Sequence, residues 1–326
     1  MLICKKTDDI IVSISIRGEK MKRIIILFLI VLTVALASSC QEEIKPNPAT
    51  DFEYKISESK TGVIIYKYIG TSENVVIPAE IEGLPVRSLS AVFSEDGSLE
   101  SGVFEGSNIK SIVFPNTVFS IGYNTCKDCT ALTSVTCAEN SELTQIAISA
   151  FEGCTALKEI ALPNTVTKIQ ARAFYGCSAL TEVDLPDELL KIGGNAFSEC
   201  TALKKITIPA KLDLYFINRG DSPLTLVPSL EQIVFEEGRE AIRGIGLING
   251  SCDIEITVPK SVKEFSSYPF YIGRDSKSEI IFLGDAPEIV EEGNGNFGVS
   301  AIYYDPDTSG WDTFPWNDKY NVVPND

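Results

Sequence analysis

The chain of 326 residues contains 28 basic and 45 acidic side chains, which give a formal net charge of −17. Because so acidic a surface repels phosphate backbones, we expect no nucleic-acid partner. The chain contains no histidine, which excludes Ser-His-Asp and Cys-His catalysis and removes the commonest metal ligand. We predict no catalytic residue, no metal site and no cofactor.

The first forty residues predict export. Residues 1–20 carry no clear signal, whereas Met21 is followed by two basic residues, fourteen apolar-rich residues and a few small residues before Cys40. This order is typical of a signal peptide. The apolar segment is shorter than the roughly 20 residues that a membrane-spanning helix needs. We infer that Met21 is the initiator, that residues 1–20 are a mis-called extension, and that residues 21–40 are a lipoprotein signal peptide.

The sequence around Cys40 predicts a lipid anchor. The small residues directly before Cys40 resemble a bacterial lipobox, which implies that Cys40 becomes the lipidated N-terminus of the mature protein. The alternative is a plain secreted protein with a chance cysteine. Residues 41–51 are polar and contain two prolines, so they predict a tether between the lipid and the fold.

The pair Glu42-Glu43 bears on location. It resembles signals that send lipoproteins to the outer face of anaerobe outer membranes, although an ordinary solvated linker can have the same composition. With Cys40, this resemblance predicts an outer-membrane lipoprotein exposed on the cell surface.

Residues 52–70 predict a β-hairpin, because two β-rich runs flank the turn-like sequence SESKTG. We expect this hairpin to cap the repeats that follow it, because the open end of a stack of repeats would expose its core. The cap and the irregular coils after it are expected to cover residues 52–103.

A unit of 23 residues repeats nearly three times between Phe151 and Pro209. The recurring residues are Phe151, Phe174 and Phe197; Cys154, Cys177 and Cys200; Leu157, Leu180 and Leu203; and Pro163, Pro186 and Pro209. A fixed period in the twenties indicates a solenoid, whose coils cannot bury their apolar faces alone and must stack. We predict one solenoid over 52–326, with regular repeats over 104–210, irregular repeats over 211–300 and a cap over 301–326.

A single coil predicts a short strand followed by turns. Val183 and Leu185 alternate like the inward face of a strand, and Pro186 ends that strand because it has no N–H to donate. Gly153 and Gly176 precede the recurring cysteines, where a tight turn requires positive φ. Apolar residues show no sustained helical period, so the fold is expected to be mainly β, with stacked coils forming a parallel sheet.

Two stretches of this sequence resemble a known family. They are LPNTVTKIQARAFYGCSALTEVDLP within the regular repeats and VVIPAEIEGLPVRSLSAVF, which spans residues 75–93. Both are similar to the leucine-rich repeat of the BspA-like family of bacterial surface proteins, and the resemblance extends over about 52–316. It implies a right-handed solenoid, export, and adhesion to host proteins or other cells, without indicating one ligand.

The recurring cysteines allow two interpretations. Cys129 occupies the recurring cysteine position, and its distance in sequence from Cys154 exceeds the period by two, which indicates a two-residue insertion in that coil. We expect these side chains to stack as buried free thiols, because Cβ atoms in register point the same way and fit a disulfide badly. Disulfides in an exported protein are the alternative. Cys126 occupies a phenylalanine position, and a lone Cys126-x-x-Cys129 has neither the second pair that zinc requires nor a redox setting.

The sharpest candidate motif is Arg219-Gly220-Asp221, within an insertion at residues 214–228. It resembles the integrin-binding tripeptide of matrix proteins, in which a cation and a carboxylate lie at opposite ends of a glycine turn. The carboxylate of such a motif is free to bind a metal ion of the receptor. The alternative is ordinary turn chemistry, for which Gly-Asp is common.

The segment 301–326 is rich in aromatic side chains, among them Trp311 and Trp316. Two roles are open for these indoles. They can stack on the sugars of a glycan, or they can seal the end of the solenoid, as terminal repeats must.

Three classes of function follow. The first is adhesion to host or other-cell proteins, the second is glycan binding by a surface accessory protein, and the third, more remote, is a polysaccharide-acting enzyme. An enzyme of that class needs two carboxylates at about 5–10 Å. The acidic residues Glu159, Glu182, Asp184 and Asp187 lie at variable positions of single coils and define no site.

The predicted anchor can be tested at Cys40. Replacing Cys40→Ala removes the acylated thiol, so a clickable fatty acid fed to expressing cells should label the wild-type protein and not the variant. The variant should also leave the membrane fraction. The matched control is Cys137→Ala, which removes a cysteine from within the predicted solenoid and should label normally. Equal labelling of the Cys40→Ala variant would contradict the lipid anchor.

Overall fold

The computed structural model describes residues 45–93, 99–214, 222–243, 246–250, 253–266, 270–272, 276–291 and 299–325. The predicted signal peptide and Cys40 therefore lie outside the described residues. Within the described ranges the chain forms β-strands and two short 3-10 helices, Ala49–Asp51 and Trp311–Thr313. No helix among these residues is long and apolar enough to cross a membrane.

The N-terminal end is closed by an antiparallel hairpin, as the sequence predicted. Strand β1 (Phe52–Ile56) pairs antiparallel with β2 (Val63–Tyr68), and β2 pairs parallel with β5 (Leu84–Leu89) in the first coil. The ring of Phe52 lies 5.4 Å from that of Tyr68, which lies 5.2 Å from Phe104. The hairpin thus covers the first phenylalanine of the core.

The last residues of the predicted tether are bound to this cap. The backbone N–H of Asn47 donates to the carbonyl of Val76 at 2.8 Å, and the Asn47 side-chain oxygen accepts from the N–H of Val76 at 2.8 Å. The Asn47 amide also donates to Asp51 at 2.9 Å. The compact unit accordingly starts at Pro46, before residue 52.

The chain then winds into a solenoid of about 10 turns, which is mainly β and has a spacing of about 23 residues. The strands of one flank are β3 (Asn74–Val76), β8 (Ser111–Phe114) and β10 (Ser134–Cys137), then β13 (Glu182–Asp184), β15 (Lys205–Ile208), β17 (Gln232–Phe235), β20 (Glu255–Val258), β23 (Ser278–Phe282), β25 (Val299–Tyr304) and β26 (Asn321–Pro324). The first three form one parallel sheet and the other seven form a second, in that spatial order.

The remaining strands lie on the other flanks. They are β9 (Ser120–Ile121), β11 (Gln145–Ile146), β12 (Lys168–Ile169) and β14 (Lys191–Ile192), which extend the sheet of β1, β2 and β5; β18 (Ala241–Ile242), β21 (Glu264–Ser266) and β24 (Glu288–Glu291); β16 (Leu224–Thr225), β19 (Ile248–Gly250) and β22 (Phe270–Ile272); and the pairs β4 (Glu80–Ile81) with β5 and β6 (Val92–Phe93) with β7 (Leu99–Ser101). Strand β4 joins the first of these sheets through β5, and the other groups are separate sheets, so successive coils contribute to several flanks.

Strand registers confirm the predicted period and the two-residue insertion. Lys168 pairs with Lys191, which is one period further along the chain. The step from Ser120 to its partner Gln145 is two residues longer than the period, which is the insertion expected before Cys154. The step from Lys205 to its partner Gln232 is four residues longer, which is less than the fifteen residues of the predicted insertion at 214–228. The N–H of Phe197 donates to the carbonyl of Pro223 at 2.9 Å, so the end of that stretch belongs to the regular stack.

The core contains the predicted file of phenylalanines. The rings of Phe151 and Phe174 are 5.3 Å apart and 4° from parallel, and those of Phe174 and Phe197 are 5.1 Å apart and 6° from parallel. The N–H of Phe174 donates to the carbonyl of Ala196 in the next coil at 2.8 Å. The backbone register therefore determines the spacing of the rings.

A file of thiols runs beside the rings. Cys129, Cys154, Cys177 and Cys200 are free and fully buried, as predicted. Each thiol donates to a carbonyl of the preceding coil; Cys177 Sγ reaches Phe151 at 3.2 Å and Cys200 Sγ reaches Phe174 at 3.2 Å. Burial raises the pKa of Cys200 to about 12, so this thiol stays protonated. A small side chain with one weak donor fits this position.

We expect Phe174→Ala to destabilise the protein by about 3–5 kcal/mol, because it removes a buried ring that has partners on both sides. The matched control is Leu190→Ala. The side chain of Leu190 is 48% exposed, so its truncation should cost at most about 0.5 kcal/mol. Urea unfolding followed by circular dichroism measures both. Equal midpoints for the two variants would contradict the stacked core.

The raised pKa of Cys200 predicts a pH dependence of stability. In the unfolded chain this thiol loses its proton near pH 8.5, whereas in the fold it keeps it. The unfolded state therefore binds fewer protons above pH 8.5, and stability decreases there by about 1.4 kcal/mol per pH unit. The free energy of unfolding of wild type minus that of Cys200→Ala should be constant below pH 8 and decrease towards pH 10. A constant difference would contradict the buried thiol.

Candidate binding surface

The seven-stranded sheet β13–β15–β17–β20–β23–β25–β26 has one face in the core and one face in solvent. Its inward side chains include Ile206, Ile233 and Ile256, each at most 1% exposed. Because successive side chains of a strand point to opposite faces, the residues between them face outward. The parallel register then places outward residues of successive coils side by side, about 4.8 Å apart.

One outward row is largely apolar. In spatial order it consists of Thr207, Val234, Thr257, Ile281, Tyr303 and Val323. All six are half-buried, because each covers part of its neighbours on adjacent strands. Five strand spacings make this row about 24 Å long. It is a flat, β-branched and aromatic strip on a rigid sheet.

A second outward row is charged and polar. It consists of Glu182, Lys205, Gln232, Glu255 and Glu279. The amide of Gln232 donates to Glu255 at 3.1 Å, and the hydroxyl of Tyr303 donates to Glu279 at 3.4 Å, which joins the two rows. Together the two rows are called the sheet face below. The sheet face thus combines an apolar strip with a mainly acidic border.

An acidic corner lies where the first strands of this sheet end. Burial raises the pKa of Glu236, and the nearby carboxylates of Asp187 and Asp184 raise it further. Asp184 and Asp187 were candidates from the sequence, whereas Glu236 was not. The available signal was its position, because Glu236 follows the strand-ending Phe235 where other coils have a proline. The corner favours basic partners.

Three of the four carboxylates named from the sequence line one shallow groove of about 390 Å³. They are Glu159, Glu182 and Asp184. The groove lies between β10 of the first sheet and β13 of the second. The coil between these two strands has no named strand on this flank; its residue Ala161 forms an isolated bridge to Asp184 of β13. The described residues contain no group of His, Cys, Asp or Glu side chains placed to hold a metal ion.

The two tryptophans lie in the core. Trp311 is 4% exposed and Trp316 is 2% exposed. Trp311 stacks on Tyr304 at 4.8 Å and packs 5.2 Å from Phe282, and its indole N–H donates to Thr308 at 2.9 Å. This burial corresponds to the end-cap interpretation and leaves no indole face for a sugar, so the glycan-stacking hypothesis fails for these two residues.

The candidate integrin motif Arg219-Gly220-Asp221 lies outside the described residues, as does Cys40. The described chain continues from Leu214 on one side of the motif and from Ser222 on the other, and Ser222 is fully buried. Its hydroxyl donates to the carbonyl of Leu247 at 2.8 Å. The residue directly after the motif is therefore held in the solenoid.

Stacked coils with a period of about 23 residues, parallel strands along one flank and a recurring leucine in the core define a leucine-rich repeat solenoid. The chain also matches the family of the BspA type Leucine rich repeat region, in six copies over residues 97–219 and 144–277. These residues make up more than half of the chain. The protein belongs to the BspA-type leucine-rich repeat family.

Several solved bacterial proteins are similar to this chain. The leucine-rich repeat protein of T. pallidum (TpLRR) is 27% identical, with a TM-score of 0.49, over 62% of this chain and 86% of that protein. A leucine-rich repeat protein from Bacteroides ovatus is 20% identical, with a TM-score of 0.45, over 86% of this chain and 76% of that protein. No curated protein sequence matches significantly.

Family membership limits the functional class. Proteins with BspA-type leucine-rich repeats are generally binding or adhesion modules, and leucine-rich repeat proteins are typically not enzymes. A binding module of this class needs an accessible surface, and the outer surface of the coils is the candidate.

Proposed function

We propose that this protein is a lipid-anchored adhesion module that binds proteins of a host or of another cell through its sheet face. The observation that carries the proposal is the half-buried row Thr207, Val234, Thr257, Ile281, Tyr303 and Val323 on a sheet whose other face is core. A contiguous row of partly exposed, mostly apolar side chains with a polar rim is typical of a protein-binding site.

The strip is too small to form a whole protein interface, so we expect the partner to contact its borders as well. The row is about 24 Å long, and strands of four residues are about 13 Å wide, so the face covers about 300 Å². A standard protein interface buries about 800 Å² on each side. The partner must therefore reach beyond the strip, and the acidic row and acidic corner lie directly beside it.

Charge supports the same class of partner. The chain carries a net charge of −17, and the border of the strip contains Glu182, Glu255 and Glu279. A basic protein surface would complement it, and such complementarity raises the association rate more than the affinity. We expect the association rate to decrease with added salt, because the border charges are exposed to solvent.

The predicted anchor suits this role. A lipid on Cys40, followed by the polar residues 41–45, would attach the solenoid to the outer face of the outer membrane while its flanks remain in solvent. Adhesion to another cell requires this exposure on the cell surface.

The test replaces Ile281→Glu, which introduces a charge into the middle of the apolar row. Binding to immobilised fibronectin and fibrinogen should weaken at least tenfold. The control is Leu190→Glu, which adds the same charge at an exposed leucine on another flank and should bind like wild type. Thermal unfolding checks that both variants fold. Wild-type binding by Ile281→Glu would refute the sheet face.

Integrin binding by the motif Arg219-Gly220-Asp221 is a separate prediction and is tested by a separate experiment. An integrin-dependent route requires the carboxylate of Asp221, so Asp221→Glu should lower attachment of integrin-bearing cells while fibrinogen binding persists. Unchanged attachment would leave this motif as an ordinary turn. Hits on a glycan array that survive Ile281→Glu would favour the glycan-binding alternative.

A further inference from the structure

A groove lies at a different place from the sheet face, at the corner where each coil turns from its phenylalanine-cysteine segment towards the next strand. Its volume is about 770 Å³. We call it the Leu226 groove; its boundaries are Gly176, Ser178, Glu199, Thr201, Leu226 and Val227. Among the described residues it is larger than the groove beside Glu182.

The floor of the groove exists because one turn position holds a glycine in successive coils. The N–H of Gly153 donates to Tyr175, that of Gly176 to Ser198 and that of Glu199 to Thr225, so these positions stack in register. A Cβ on Gly153 would collide with the carboxylate of Asp128, whereas a Cβ on Gly176 would have no atom nearer than 3.9 Å. The groove therefore opens at Gly176 and extends towards Glu199.

Glu199 supplies the charge of the groove. Its Oε1 accepts a hydrogen bond from the hydroxyl of Tyr175. Tyr175 is itself held by Arg172, whose guanidinium carbon lies 3.7 Å from the ring centroid. Arg172 is paired with Glu152 at 2.8 Å, so its charge is already matched. No basic side chain among the described residues forms an ion pair with Glu199.

Leu226 supplies an apolar wall at a conformational cost. Its φ is 56°, in the left-handed region that a branched, bulky residue rarely adopts, and its side chain is 61% exposed. Burial of Leu226 in the core does not repay this strain, because the core takes the flanking Leu224 and Val227 instead. The repeat imposes this backbone, because the equivalent residues Gly153, Gly176 and Glu199 also have positive φ. Leu226 is distinguished by an exposed apolar side chain at a turn position that holds glycine in two earlier coils.

We propose that the Leu226 groove binds an arginine or lysine side chain presented by an extended segment of a protein partner. The aliphatic stem of such a side chain covers Leu226 while its charged head reaches the carboxylate of Glu199. Ser178 and Thr201 line the same space, and hydroxyls of this kind can accept from the partner's backbone. An anionic ligand is disfavoured by Glu199, and no aromatic ring lines the groove to stack on a sugar.

This inference rests on the proposed function only in taking a protein as the partner, since it assigns a second contact and its chemistry. The probe is a capped hexapeptide of alternating arginine and leucine. Its matched control replaces arginine with citrulline, which keeps the shape and removes the charge. Isothermal titration calorimetry at 0.15 M salt should show at least tenfold weaker binding of the citrulline peptide to the wild-type protein.

Three variants locate the site. Glu199→Gln should lower the affinity for the arginine peptide at least tenfold. Glu188→Gln, which removes the same charge from an exposed ion pair with Lys211, should leave that affinity unchanged. Leu226→Gly relieves the left-handed strain, so it should raise the unfolding temperature and still weaken the peptide at least threefold. If Leu226 had only a structural role, Leu226→Gly would raise the unfolding temperature and leave the affinity for the peptide unchanged.

Two results would overturn the inference. They are equal affinity of Glu199→Gln and wild type for the arginine peptide, and equal affinity of wild type for the arginine and citrulline peptides. The sheet-face variant Ile281→Glu should bind the peptide normally, so failure of the sheet face and failure of the groove are distinguishable.

Discussion

Main-chain hydrogen bonds between successive coils, made in constant register, are the interaction on which the rest of this structure depends. A single coil is too small to bury its own apolar side chains. Each coil is completed by its neighbour, as where the N–H of Phe174 bonds to Ala196 in the next coil. Once the register is set, identical side chains stack, and the phenylalanine and thiol files follow. The free thiols fit because each donates to a carbonyl of the coil before it.

The same register organises the surface. Rows of outward side chains form without a pocket, so a strip such as Val234, Ile281 and Tyr303 arises from one residue per coil. A row can bind a partner only if enough coils contribute a compatible side chain. The Leu226 groove arises in the opposite way. Gly176 has no side chain at the stacked turn position, so the row is interrupted there and the space stays open. Both candidate sites therefore come from one rule, namely the presence or absence of a side chain at a repeated position.

The two ends of the stack need different chemistry, because an end coil has no neighbour on one side. The N-terminal end uses an antiparallel hairpin, and the C-terminal end uses rings around Trp311 and Trp316. The crowding of aromatic residues near the C-terminus was visible in the sequence. Whether the rings faced sugars or the core was not, because exposure depends on how the final coil folds back over Phe282.

The sequence alone determined the period, the two-residue insertion before Cys154, the hairpin and the buried files of Phe151 and Cys154. Each of these features follows from a local sequence pattern, and a local pattern that recurs along the chain can be recognised from the sequence alone. The tertiary structure decided which residues of different coils meet. It placed Glu236 beside Asp184 and Asp187 across the lengthened coil, put Leu226 and Glu199 on one groove, and buried Trp311. Such contacts depend on neighbouring coils that differ from the repeat, so no single period in the sequence encodes them.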